Sequence, residues 1–275
     1  MAQVSAAEVA KLRKMTGAGM MDCKKALEEA NGDYERAQEI IREKGKLIAS
    51  KRADREATEG VVISKVSADG KTGVMICLAC ETDFVAKNND FVALAEQIAE
   101  VALNNLPADL SALLALSLNG RTVADEVAEK SGITGEKFNV AYYDKVEAGF
   151  CVPYIHTNKK LASLVAFSKA ISLNDAKDIA MQVAAMNPVA IDKDQCPAEV
   201  IEKELQIARE QIRLEGKPEN MIEKIALGKL GKFFKDNTLL AQDFIKDAKV
   251  SVEAHLKAVD AEVKVVKIKR FTLND

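Results

Sequence analysis

One order of elements occurs twice along this chain of 275 residues, and this repetition constrains the fold more than any other feature. Each copy has two apolar strand patterns joined by a short turn, followed by an amphipathic helix that stops at a proline. The elements lie at residues 61–66, 72–79 and 91–103 in the first copy and at 150–156, 161–167 and 174–186 in the second. This order predicts an internal duplication of an α+β unit.

Each copy is completed by a strand that lies much further along the chain. The first closing strand is predicted at residues 138–146, after a helical stretch at 110–130, and the second at 263–271. Long connections of this kind favour antiparallel sheets of about three strands, each backed by helices on one face. We therefore expect two core subdomains, at residues 55–147 and 148–275.

A helical region precedes the two copies, at residues 1–54. Ser5 and Glu8 form a capping box for a first helix, and Asp22 and Asp33 are placed to cap a second and a third. A unit of three such short helices has a thin core, of a kind that suits docking better than catalysis.

Two features of this helical region allow more than one interpretation. Of Met20 and Met21, one can fill the small core, or the pair can form an exposed and adaptable contact surface. Residues 44–58 are rich in Lys and Arg, as a nucleic-acid patch is, but they are interleaved with acidic residues. That mixture favours a solvated helical linker.

The second copy contains an insertion between its helix and its closing strand. Two series of apolar residues at helical spacing are separated by Gly216 and Pro218, which predicts a helical hairpin at about residues 197–233. Such an arm either packs only on itself or also carries a partner, and its narrow apolar seam favours the self-packed arm.

The segment at residues 80–87 lies between the second strand and the helix of the first copy. Phe84 in this turn either plugs the local core or is directed at something outside the chain, and Asp83 can act as a helix N-cap. The corresponding junction of the second copy, at residues 168–172, contains no Asp-Phe pair. This asymmetry favours a special role for the turn of the first copy.

Several classes of function are disfavoured by composition and motif content. The net charge is −3, whereas nucleic-acid binding usually shows a clustered basic excess. Cys77 and Cys80 form a CxxC, but within a strand the two side chains point to opposite faces, so buried thiols are favoured over a metal or redox site. There is no phosphate-binding loop, no GxGxxG after a strand and no evident triad. We expect no enzyme active site and no cofactor.

The same reasoning bears on where the protein works. No apolar run is long enough to span a bilayer, and the first residues lack the pattern of a signal peptide. Unpaired thiols suit a reducing compartment, so we expect a cytoplasmic protein.

Two long motifs resemble the signatures of the bacterial elongation factor Ts family. They are TGAGMMDCKKAL at residues 16–27 and TDFVAK at residues 82–87, in the expected order and at the expected distance. The resemblance implies a ubiquitin-associated-like domain at residues 1–54 and a coiled-coil arm that can form a homodimer, build a two-plus-two complex or touch the partner. It implies a guanine nucleotide exchange factor that binds the GTPase elongation factor Tu.

The resemblance also implies roles for individual residues. Asp83 and Phe84 would insert near the Mg²⁺ site of elongation factor Tu, with Thr82 and Val85 framing the turn. It also implies that Met20, Met21 and Lys24 contact the nucleotide-binding domain and that His156 contacts a different domain. A further contact of the family is an Ile-Gly pair before the third strand. This pair falls on Thr134 and Gly135 here, so only Gly135 is carried over. The alternative from a different class is a passive binding or chaperone-like module that forms complexes without affecting nucleotide release.

Overall fold

Two antiparallel three-stranded sheets, packed face to face, lie at the centre of the structure, a computed structural model that describes residues 4–273. Helices cover the outer face of each sheet, so the fold is α+β. No helix within the described residues is long and apolar enough to cross a membrane.

The chain begins with three helices that share a small apolar core. They are α1 Ala6–Thr16, α2 Met20–Glu29 and α3 Tyr34–Lys51. The capping box of Ser5 and Glu8 and the cap at Asp33 are both confirmed. The predicted cap at Asp22 is wrong, because Gly17 ends α1 with a φ of 75° and α2 begins directly after Gly19.

The first unit of strands and helices follows. It comprises β1 Glu59–Val66, β2 Thr72–Cys80, α4 Asp83–Ala86, α5 Asn89–Asn105, α6 Leu110–Ala115, β3 Ser117–Leu118, β4 Arg121–Thr122, α7 Val123–Thr134 and β5 Phe138–Glu147. The helical stretch predicted at 110–130 is therefore two helices separated by a two-stranded ribbon. Asn119 and Gly120 form the turn of that ribbon, both at positive φ, as a tight hairpin requires.

The second unit contains the helical arm. It comprises β6 Phe150–Ile155, β7 Leu161–Phe167, α8 Leu173–Met186, a 3₁₀ turn at Lys193–Gln195, α9 Ala198–Leu214, α10 Glu219–Asn237, β8 Asp243–Phe244, β9 Asp247–Ser251, α11 Val252–Val259 and β10 Val265–Thr272. Helix α8 begins at Leu173, one residue before the predicted start at 174, because the Ser172 hydroxyl caps it by accepting from the N–H of Asp175.

The strand orders are β1-β2-β5 and β10-β7-β6, with every neighbouring pair antiparallel, as predicted. Strand β2 is buried on both faces, because one face packs against α5 and the other against the second sheet. Cys80 belongs to the first of these clusters and Cys77 to the second, which confirms that the CxxC pair points to opposite faces. The sheets approach closely at Gly73, where a Cβ would lie 2.7 Å from Leu164.

Helices α9 and α10 form the predicted hairpin and pack on each other through a narrow seam. Its buried residues are Ala208, Ile212, Ile222 and Ala226. The guanidinium of Arg209 adds a bidentate pair with Glu223, both hydrogen bonds being 2.9 Å long. The two helices of the arm therefore pack on each other along this seam.

Helix α3 crosses α7 at a point where each helix has a glycine. A Cβ on Gly132 would overlap the Cα of Gly45, so the two backbones are in direct contact. Close to the crossing, Lys46 Nζ lies 2.6 Å from Asp125 Oδ1. Most of residues 44–58 is exposed, as expected for a solvated segment, but the helical part is docked on the first unit through Gly45.

The crossing predicts opposite effects for two similar substitutions. Gly132→Ala should lower the free energy of unfolding by about 1–3 kcal/mol, because the added methyl pushes α3 away from α7. Gly45→Ala meets only contacts of 3.5 Å or more and should be neutral or slightly stabilising, since Ala favours the helix. Denaturant unfolding followed by circular dichroism measures both, and equal effects of the two substitutions would contradict the crossing.

Candidate functional site

The turn between β2 and α5 presents Phe84 to solvent. This side chain is 83% exposed, whereas Ala86 is buried and Val85 packs partly against the core of the first unit. Helix α4 therefore directs its small aliphatic residues inwards and its only aromatic residue outwards. The structure excludes Phe84 as a plug for the local core.

Thr82, and not Asp83, is the N-cap of α4. Its side chain accepts a long hydrogen bond of 3.5 Å from the N–H of Val85. Thr82 is itself held by Glu136, because its N–H donates to Oε2 at 3.1 Å and its hydroxyl donates to Oε1 at 2.6 Å. The start of the turn is thus anchored by a residue 54 positions further along the chain.

Asp83 occupies the first position of α4, where a carboxylate favours the helix N-terminus. Lys87 Nζ donates to its Oδ2 at 2.6 Å, and this hydrogen bond lowers the pKa of Asp83. The alternative in which Asp83 is the N-cap is therefore wrong. The pair instead closes the single turn of α4 on its exposed side.

Glu81 is the most strongly bonded charge at the site. It accepts from the N–H of Lys137 at 2.6 Å and from the guanidinium groups of Arg52 and Arg55 at 2.9 and 3.0 Å. Burial by itself would raise the pKa of Glu81, but these three donors outweigh it and lower the pKa to about 2. Glu81 is ionised under all physiological conditions.

Three segments meet at this point of the molecule. Besides the ion pairs of Glu81, the ammonium of Lys137 donates to the carbonyls of Ala53 and Arg55, at 2.7 and 2.8 Å. The segment after α3, the turn at Thr82 and the connection between α7 and β5 are therefore joined. Gly135, one of the implied contact residues, begins that connection as the C-cap of α7, with a φ of 73°.

His156 lies at the end of β6, half-buried, with its Nδ1 3.1 Å from the hydroxyl of Tyr154. The turn that follows it, residues 157–160, borders a cleft of about 720 Å³ whose other wall includes Asp83 and Lys87. Of the implied contact residues only Asp83 lines this cleft, opposite the segment that follows His156.

The implied contacts of the N-terminal helices lie on α2. Met20 and Met21 are 42% and 62% exposed, which supports the exposed alternative for this pair. Lys24 lies beside Glu28, with 3.8 Å between Nζ and Oε1. The loop before α2 reaches the turn, because Gly17 and Val85 line one groove of about 240 Å³.

The two thiols beside the turn are held in their neutral form. Burial raises the pKa of both Cys77 and Cys80 to about 12, so these thiols stay protonated. Within residues 4–273 no group of three His, Cys, Asp or Glu side chains is placed to hold a metal ion. What the site presents is an exposed aromatic ring on a rigidly bonded turn.

Sequence reasoning missed the two carboxylates that hold this turn. Glu81 gives a weak local signal, since it is a charge placed directly after a buried strand. Glu136 gives none, because its only link to the turn is through space.

A family profile described as Elongation factor TS matches residues 81–275 of the chain. An Elongation factor Ts of Porphyromonas gingivalis is 50% identical over 272 residues, which cover 98% of each chain. One of Flavobacterium psychrophilum is 50% identical over 275 residues, covering 99% of this chain and all of the relative. One of Cytophaga hutchinsonii is 47% identical over 278 residues, with both chains fully covered.

The lowered pKa of Glu81 predicts an acid-sensitive contribution to stability. The contribution is fully present above the ordinary pKa of 4.5 and is lost as the pH falls towards about 2. Glu81→Gln should therefore lower the free energy of unfolding by about 1–3 kcal/mol at pH 7, and by much less at pH 3. Urea unfolding at both pH values tests this, with the exposed Glu199→Gln as a control. A loss of unfolding free energy that is the same at both pH values would contradict the stabilising role of the Glu81 charge.

Proposed function

The chain belongs to the elongation factor Ts family, and we propose from this that it is a guanine nucleotide exchange factor for the GTPase elongation factor Tu in translation elongation. The observation that carries the proposal is the exposure of Phe84 on a turn that the fold holds in place. A ring of this size that is held in water adds no burial to the fold, whereas its burial by a partner would be favourable.

The proposed mechanism is thermodynamic linkage. A factor that binds the nucleotide-free GTPase more tightly than the GDP form weakens GDP binding by the same ratio. In such GTPases the phosphate-binding loop and Mg²⁺ hold the β-phosphate. Phe84, inserted between elements that support the Mg²⁺ site, would displace them, and each 1.4 kcal/mol of disruption weakens the nucleotide about tenfold. GTP then binds and expels the factor.

The other implied residues enlarge the contact surface in this proposal. Met20, Met21 and Lys24 dock on the nucleotide-binding domain of the partner, and the exposure of both methionines supports this role. His156 contacts a different domain of the partner, and Gly135 contacts it beside the turn. The shared cleft between the turn and the segment after His156 supports a single continuous interface.

We also propose the domain layout that the family implies. Residues 1–54 form a ubiquitin-associated-like domain with its linker, and residues 55–147 and 148–275 are duplicated core subdomains. The arm at about residues 197–233 is the place where a homodimer or a two-plus-two complex would form. In this proposal the protein has no active site or cofactor of its own, binds neither nucleotide nor nucleic acid, and works in the bacterial cytoplasm.

Replacement of Phe84 separates exchange from folding. Phe84→Ala should change the free energy of unfolding by no more than about 0.5 kcal/mol, because the ring is solvent-exposed. It should slow stimulated release of GDP from elongation factor Tu by at least about tenfold, because the wedge is lost. Release of a fluorescent GDP analogue measures the rate.

The matched control is Leu173→Ala, which removes an apolar side chain that is 53% exposed at the start of α8, the corresponding junction of the second unit. It should leave the rate of GDP release unchanged. Equal rates for the Phe84→Ala variant and the unmodified chain would overturn the role of Phe84. Complex formation by the unmodified chain without any acceleration of GDP release would favour the passive binding module instead.

A further inference from the structure

We infer that Glu81 and Glu136 are positioning residues, which hold Phe84 in the orientation it needs to enter the partner; the inference rests on the proposed exchange function. Their side chains join the end of β2 to the connection before β5. We call this arrangement, formed by Glu81 and Thr82 on one segment and Glu136 and Lys137 on the other, the carboxylate clamp.

The clamp is reciprocal. The N–H beside each carboxylate donates to the other carboxylate: Lys137 N–H to Glu81 at 2.6 Å, and Thr82 N–H to Glu136 at 3.1 Å. Two crossed hydrogen bonds fix the rotation of the segments as well as their separation. The hydroxyl of Thr82 adds a third hydrogen bond to Glu136, at 2.6 Å. Hydrogen bonds to ionised acceptors are stronger than those between neutral groups.

The turn beyond the clamp cannot orient itself. Helix α4 has only four residues, and a single helical turn is not stable on its own. Phe84 is too exposed to be fixed by packing, and only the small side chains of Val85 and Ala86 face the core. The start of the turn, and with it the direction of the ring, therefore depends on how Thr82 is held, while the end of α4 continues into α5.

The corresponding junction of the second unit shows what the fold alone requires. There the N–H of Ser168 donates to the carbonyl of Lys264 at 2.9 Å, and the N–H of Lys264 donates to the hydroxyl of Ser168 at 3.0 Å. One hydroxyl and one ion pair, Lys169 Nζ with Asp260 Oδ2 at 2.7 Å, thus join the end of β7 to the segment before β10. Two carboxylates and their cationic partners exceed this requirement, and they occur at the junction that carries an exposed aromatic residue.

The clamp also connects the N-terminal helices to the turn. Arg52 and Arg55, which follow α3, pair with Glu81. Lys137 donates to the carbonyl of Arg55. The docked position of α3 on the first unit therefore supports the clamp from its outer side. This arrangement fixes the position of the ring of Phe84 relative to the proposed docking surface on α2.

The first test observes the orientation of the ring directly and needs no partner. The chain contains no tryptophan, so Phe84→Trp introduces a single fluorescent reporter. In this background Glu136→Ala should increase the amplitude of nanosecond depolarisation at least about twofold, because the turn is released. Glu126→Ala removes a buried, ion-paired carboxylate of α7 that does not contact the turn, and it should leave the anisotropy decay unchanged.

The second test is a double-mutant cycle on GDP release from elongation factor Tu at saturating factor. If loss of the Glu136 hydrogen bonds leaves the ring correctly oriented only about one-tenth of the time, Glu136→Ala slows GDP release about tenfold. In the Phe84→Ala background the same substitution should have no further effect, because the clamp acts through the ring. Glu136→Gln, which retains one acceptor, should recover part of the rate.

The outcomes separate the clamp from the proposed function. An anisotropy decay that Glu136→Ala leaves unchanged overturns the clamp and leaves the exchange function standing. Equal losses of rate in both backgrounds overturn it as well, because they show a general structural effect. Failure of Phe84→Ala itself to slow release overturns the role of Phe84, while the anisotropy measurement still decides whether the clamp orients residue 84.

Discussion

The face-to-face packing of the two sheets is the constraint on which the rest of the structure depends. It buries β2 on both sides, so this strand is held by the second sheet on one face and by α5 on the other. The chain leaves this fixed strand at Cys80, and the turn with Phe84 follows within four residues. A segment this short is held rigidly when the residues next to the strand are hydrogen-bonded. Thr82 is such a residue, because its hydroxyl donates to Glu136.

The two units of the fold solve the same structural problem with different chemistry. Each must join the end of its central strand to the segment before its last strand. The second unit uses the hydroxyl of Ser168 and a single ion pair between Lys169 and Asp260, whereas the first uses two carboxylates that accept from two backbone N–H groups and from a set of cationic partners. The additional carboxylates occur at the junction that carries the exposed aromatic residue, and Glu81 adds to the stability of the fold at the same point.

Much of this fold follows from local sequence patterns, and the errors have physical causes. Alternation and helical spacing predict the strands and long helices, since these patterns report which face is buried. The ribbon at Asn119 and Gly120 was missed because a tight turn interrupted what otherwise resembles one helix. The docking of α3 was missed because the contact is between Gly45 and Gly132, and small residues carry no apolar signal. Glu136 could not be identified, since its partner lies 54 residues away.

The central claim is that this chain accelerates release of GDP by binding elongation factor Tu through the turn at Phe84. The most direct measurement is the off-rate of GDP from elongation factor Tu, with the chain present at a small fraction of the GTPase concentration. Release that becomes faster in proportion to the added chain, with each molecule acting repeatedly, is the predicted result. An off-rate that stays at its spontaneous value at every concentration of the chain would contradict the account.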